Sequence, residues 1–157
     1  MSPPAHEIVV ISPKDESRRE ECYNVRIQVF VHEQGFPLDT EIDESVLGER
    51  FLPLNFLICP LIVYVSRFDG MSTHFLLRLV PSLIPIGTIR TYSPNGASYY
   101  KLSRLAVLKE YRQFKFGRDL VFALHDWVKA ETKRIGGLDH AEVIAHSQIP
   151  VKPFYAK

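Results

Sequence analysis

The chain has 157 residues, 46% of them hydrophobic and 24% charged, with a formal net charge of +1 at pH 7. That length and balance suit one domain with a real hydrophobic core and exclude a disordered, charge-rich chain. The near-zero net charge excludes a global field that would draw in nucleic acid or a membrane surface, so any basic site has to be local.

In chain order, MSPPAHEIVVIS lacks the basic start and long apolar run of a signal peptide. Glu7–Ile11 (EIVVI) reads as a strand. Ser12-Pro13-Lys14-Asp15 reads as a helix start, with Ser12 as N-cap, Pro13 at the first helical position and an acid two residues later. The helix is expected to run to about Val31, with Cys22, Val25, Val29 and Phe30 on its apolar face. The following EQGFPLDTEIDES carries Glu33, Asp39, Glu41, Asp43 and Glu44 and no base. Phe51–Val65 is the most apolar run, but it has 15 residues and two prolines, too short and broken for a membrane span.

His74–Val80, Ile86–Tyr92 and Tyr99–Val107 read as three strands joined by PSLIP and SPNGAS. KEYRQFKF is expected as a loop before a helix from about Gly117 to Arg134. Leu120, Leu124, Trp127 and Val128 form its apolar face, Lys133 and Arg134 its last turn, and Gly136-Gly137 its stop. His140–His146 reads as a further strand, and SQIPVKPFYAK as the start of a last helix. Three linked strands imply an antiparallel meander, and strand–helix–strand implies a parallel pair. The expected fold is therefore α/β: a mixed, mostly antiparallel central sheet with flanking helices. Cys22 and Cys59 have no metal-like spacing and are expected as reduced, buried thiols of a cytoplasmic protein.

Lys109, Arg112, Lys115 and Arg118 crowd the start of the second long helix. A helix N-terminus is already partially positive, and each cation there costs about 0.3–1 kcal/mol. The four are either solvated loop residues or the wall of an anion site, where free backbone N–H groups favour phosphate.

LAVLKEYRQFKFGRDL resembles the acyl-CoA-binding motif of the GNAT N-acyltransferase superfamily, which here falls on Arg112, Lys115 and Gly117. CYNVRIQVFVHEQGF resembles the first helix of its ElaA-like branch, and EVIAHSQIPVKPFYAK the strand and helix that carry the family's Phe-Tyr pair. The resemblance departs at Lys115, which replaces a motif glycine, and at Gln148, where the family often has Asn. The segment Ser45–Ser72 has no counterpart and is expected to lie outside the folding core. The chain also stops where the family usually adds two strands.

The resemblance implies a single N-acetyltransferase domain that uses acetyl-CoA as acyl donor and no metal. It implies that backbone groups of Leu105, Ala106 and Val107 pair with pantetheine, assisted by Gln148. The N–H groups of Gln113, Phe114, Lys115, Phe116, Gly117 and Arg118 would hold the pyrophosphate, with Arg112 and Lys115 as nearby cations. Tyr155 is the candidate acid for the departing thiolate, and Glu33 and His146 are candidate bases. Arg26 and Glu33 are candidates for the acceptor side, where the acidic loop would suit a small-molecule amine. No nucleic-acid or membrane partner is implied, and a homodimer is allowed. Two other readings stand beside the enzyme: a non-catalytic acyl-CoA-binding module or remnant, and a nucleic-acid binder using the basic loop.

Overall fold

The computed structural model describes residues 2–37, 69–94, 97–136, 141–146 and 152–155. Five strands form one sheet in the order β1-β2-β3-β4-β5. They are β1 (His6–Ile11), β2 (Thr73–Leu79), β3 (Pro85–Tyr92), β4 (Tyr99–Val107) and β5 (Glu142–Ala145). The first three pairings are antiparallel and β4–β5 is parallel, as the element order implies.

Alternation along the strands decides which helix each face meets. Phe75 and Leu77 of β2 point to one face, with Ile86, Ile89, Leu102 and Val107, and there they meet α2 (Phe116–Arg134) through Phe116, Leu120, Leu124 and Val128. Each such side chain, fully buried, contributes about 1.5–3 kcal/mol. Trp127 completes that face edge-on to Phe75 and Tyr100, with ring centroids 6.1 Å away in both cases. On the opposite face lies α1 (Glu16–Arg26). Its Cys22 packs with Ile11 and Leu76, and Val25 packs with Val29 and Ala106. Burial pushes the Cys22 thiol up to about 12, which keeps it protonated and inert. Cys59 lies outside the described residues.

The start of α1 differs from the sequence expectation. Ser12 and Asp15 close a turn, Asp15 N–H to Ser12 carbonyl at 3.0 Å, and Pro13 sits within it. Asp15 is the N-cap instead, its carboxylate accepting from the Arg18 N–H at 3.2 Å. After Arg26 the helix widens into a π-helical stretch, Ile27–Glu33, two residues beyond the expected end.

A charged cluster lies between α1 and the sheet. Asp69, in the 3₁₀ turn Asp69–Met71, is fully buried. Its carboxylate accepts from Arg26 of α1 at 3.2 Å and from Arg90 of β3 at 2.5 Å, with His74 Nε2 of β2 at 3.6 Å. Burial would raise the Asp69 pKa, but Arg26 and Arg90 outweigh it and hold the group charged, below its ordinary value. The segment expected outside the core is therefore part of it at this end, since Asp69 and Ser72 are both buried. A carboxylate facing two guanidinium groups cannot be left out of a structure that buries those groups. Residues 45–68, with the most apolar run, lie outside the described residues.

His74 is fully buried beside this cluster, and its Nδ1 has no partner among the described residues. Burial pushes its pKa down from 6.5 to about 4 despite the nearby Asp69. Between those two values the unfolded chain binds a proton that the folded chain refuses. The stability linked to His74 is thus complete above pH 6.5 and is lost as the pH falls through about 4. Its full size is on the order of 3 kcal/mol. Urea unfolding midpoints should fall across this window, and His74→Asn should flatten the slope. A variant with the wild-type slope would assign the proton to another group.

Candidate active site

The pairing of β4 with β5 runs from Tyr99↔Glu142 to Leu102↔Ala145. Beyond Leu102, β4 continues to Val107 with β3 on one edge and no described partner on the other. A bulge lies just past the end of this pairing. From Thr88↔Ala106 to Arg90↔Ser103, two steps along β3 face three along β4. Arg104 occupies the bulge in the left-handed region, with φ of 56°. A bulge bends its strand and re-aims the groups that follow it.

The direction of those groups follows from the register. The Leu108 N–H donates to the Ile86 carbonyl of β3 at 2.9 Å. A trans peptide points its C=O opposite its N–H, so the Val107 carbonyl faces the open edge. In an antiparallel ladder a residue's own N–H and C=O share a side, so the Val107 N–H faces it too. Ala106 is turned the other way at its side chain, buried under Val25 and Val29, and Leu105 packs partly into the α2 face.

The residues after β4 form a 3₁₀ helix, Lys109–Phe114, where a loop was expected. It ends at Lys115, whose φ of 64° and ψ of 19° place it in the left-handed region. That single residue caps the 3₁₀ helix and opens α2 in a new direction, so the strand's open edge and the helix's N-terminus converge on one corner. Among the described residues no side chain caps α2. The Lys115 carbonyl accepts from Arg118 and Asp119, at 2.9 and 3.4 Å, leaving the first N–H groups, those of Phe116 and Gly117, at the helix end. Phe116 is fully buried, tilted against Phe114 with ring centroids 5.6 Å apart. Gln113 is exposed and donates to the Glu110 carbonyl at 3.3 Å. Arg118 is exposed over the Phe122 ring.

The short helix α3 (Lys152–Tyr155) closes the corner. A Cβ added to Gly117 would lie 3.5 Å from Phe154 Cζ and 3.9 Å from Val107 Cγ2, so the phenyl ring covers the start of α2 beside the end of β4. Tyr155 stands perpendicular to Phe154 with centroids 4.9 Å apart, half-buried against the α2 core. Burial raises its pKa, which keeps the phenol protonated.

Arg112 reaches back over this corner. Its Nε donates to the Val107 carbonyl at 2.8 Å, and its two terminal nitrogens grip Glu33 at 2.5 and 2.6 Å. The Arg112 hydrogen bonds hold the Glu33 carboxyl below its ordinary range, in the charged state but weakly basic. The structure thus brings Val107, Arg112, Glu33, Lys115, Gly117 and the Phe154–Tyr155 pair together around one corner. His146 is exposed just past β5. Arg26 is elsewhere, buried on Asp69 rather than presented to a ligand. Gln148 and the acids Asp39, Glu41, Asp43 and Glu44 lie outside the described residues. Among the described residues no group of three metal-ligating side chains occurs, and no helix is long and apolar enough to cross a membrane.

Lys115 holds a conformation that costs a side-chain-bearing residue about 1–2 kcal/mol and glycine far less. Lys115→Gly should therefore raise unfolding stability by about 1 kcal/mol, read from urea denaturation. A destabilised variant would mean that the lysine side chain makes a compensating contact.

No protein-family model matches the chain. A Bacillus subtilis protein provisionally named an acetyltransferase is 28% identical over 136 residues, 87% of this chain and 71% of its own length. The crystal structure of a Lactobacillus plantarum protein, provisionally named an N-acetyltransferase, matches with a TM-score of 0.64 and 27% identity, over 97% of this chain and 82% of that one. Escherichia coli ElaA shares the fold at a TM-score of 0.62 and 16% identity, over 96% and 84% of the two chains. With this mixed sheet and these relatives, the chain has the fold of the GNAT acyl-CoA N-acyltransferases and resembles acetyltransferases of that type.

Proposed function

We propose that the protein transfers an acetyl group from acetyl-CoA to a primary amine of a small, cationic acceptor. The observation that carries this reading is the end of β4 at Val107, whose N–H and C=O face away from β3, running into the start of α2, where no described side chain forms a cap. An extended pantetheine arm has amides that suit a strand edge, and a pyrophosphate suits helix N–H groups. Lys115 and Arg118, both exposed, supply charge there, and Lys109 stands nearby on the 3₁₀ helix.

In the reaction the amine nitrogen attacks the thioester carbonyl, the C–S bond breaks, and the amine's proton and the thiolate's negative charge must both be dealt with. The Val107 N–H is the donor suited to the tetrahedral oxyanion. Tyr155, kept protonated by its burial, delivers a proton to the thiolate. An alkylammonium of pKa about 10 is only about 0.1% neutral at pH 7, so a base helps. Glu33 is engaged by Arg112, which leaves the proton-accepting role to His146, exposed at the end of β5. The acidic run from Asp39 to Glu44 supports a cationic acceptor.

A second reading, an acyl-CoA-binding module without turnover, is favoured by one observation: the pairing that holds Glu33 weakly basic. Donor binding is common to both readings, and turnover separates them.

Calorimetry should show acetyl-CoA binding to the wild type and at least about tenfold weaker binding to a Lys115→Ala, Arg118→Ala double variant. Equal affinities would remove the loop from the donor site. Tyr155→Phe keeps the ring and deletes the hydroxyl. It should lower turnover on the order of 10²-fold while leaving donor affinity unchanged, because only a transition-state interaction is lost. Wild-type turnover in that variant would take Tyr155 out of the chemistry.

A further inference from the structure

Arg112 and Glu33 are 79 residues apart in sequence and joined by a bidentate contact. Glu33 ends the π-helical stretch that leads away from α1. The residues just after it are tied back to that stretch by their own N–H groups. Gln34, Gly35 and Phe36 donate to the carbonyls of Val29, Val31 and Phe30 at 3.1, 3.1 and 2.9 Å. Arg112 sits on the 3₁₀ helix after β4 and takes the carbonyl that faces the open edge at Val107. One guanidinium therefore links the end of the donor-facing strand to the segment entering the acidic loop, at the edge of the apolar contact in which Ala106 and Leu108 meet Val29 and Phe30.

The fork geometry matters more than the charge. The Nε proton points to Val107 and the two terminal nitrogens point to the Glu33 oxygens, so three of the five guanidinium N–H bonds are engaged. A lysine ammonium could not span both partners with planar, bidentate geometry. A loose phosphate cation, by contrast, would tolerate lysine.

We propose that the Glu33–Arg112 pair is a brace that fixes the Val107 end of β4 against the segment Gln34–Phe36, with Arg112 acting as a positioning residue and Glu33 as its anchor. In catalysis, which rests on the function proposed above, the brace sets the distance between the acyl end of the donor and the acceptor-side chain. Glu33 then acts through Arg112 and touches no reacting atom.

The test is amide hydrogen exchange on the free protein in the wild type, Glu33→Gln, Arg112→Gln, Arg112→Lys and the Glu33→Gln, Arg112→Gln double variant, paired with acetyl-CoA calorimetry. The brace requires effects that cross the pair. Glu33→Gln should speed exchange at Leu108 about fivefold or more, and Arg112→Gln should do the same at Gln34, Gly35 and Phe36. The double variant should match the single variants, and Arg112→Lys should behave like Arg112→Gln in exchange and in acetyl-CoA affinity. Exchange changes confined to the mutated side, additive effects in the double variant, or full rescue of affinity by lysine would each overturn the brace. Failure of the wild type to bind acetyl-CoA would overturn the proposed function, while the exchange result would still decide the brace.

Discussion

Past Leu102, β4 has a ladder on one edge only among the described residues, and the described elements are arranged around that asymmetry. Backbone N–H and C=O groups that lose a strand partner have to find another or face solvent. A bulge at Arg104 lies along this edge, the 3₁₀ helix follows its end, and Lys115 aims α2 at the same corner. The Val107 carbonyl is met by Arg112, and the donors that remain along the edge and at the start of α2 are what an acyl-CoA chain would pair with. The cations that looked misplaced at a helix start fit this geometry, because the site's anion would reverse the sign of their interaction with the dipole.

The two faces of the sheet are stabilised differently. The α2 face is mostly apolar, built on Phe75, Leu77, Ile89, Leu120 and Leu124. The α1 face carries the Asp69–Arg26–Arg90 cluster among smaller apolar contacts. Buried ion pairs add little net stability against an apolar alternative, yet removing one partner strands the other charges. That dependence gives α1 a fixed register on β2 and β3. Because α1 leads directly into the stretch ending at Glu33, the same cluster supports the segment that carries Glu33 to Arg112.

Local patterns carried most of the fold. The apolar spacing of Leu120, Leu124 and Val128 and the alternation in His74–Val80 and Ile86–Tyr92 sufficed for α2 and the meander. Ser12-Pro13 imitated a helix start, and Asp15 took the cap because the proline lies in a preceding turn. The bulge was not legible, since no glycine stands at Arg104 to announce a positive φ, whereas at Lys115 the sign was its replacement of a glycine of the resembled motif. The ion clusters were hidden by distance along the chain. Arg26 and Asp69 are 43 residues apart, and Glu33 and Arg112 79, so no spacing rule links them. One signal was available: Thr88, Arg90 and Tyr92 alternate along β3 on one side, which marks a face that is not purely apolar.

The central claim is that the open edge of β4 and the start of α2 form one continuous donor site. An NMR titration of the wild-type chain with acetyl-CoA tests it most directly, following backbone amide shifts residue by residue. The account predicts that the Val107, Phe116 and Gly117 amides shift together with a single saturation curve, while those of β1 (His6–Ile11) stay in place. Saturable shifts that bypass Val107 and Gly117 and gather elsewhere on the sheet would contradict it.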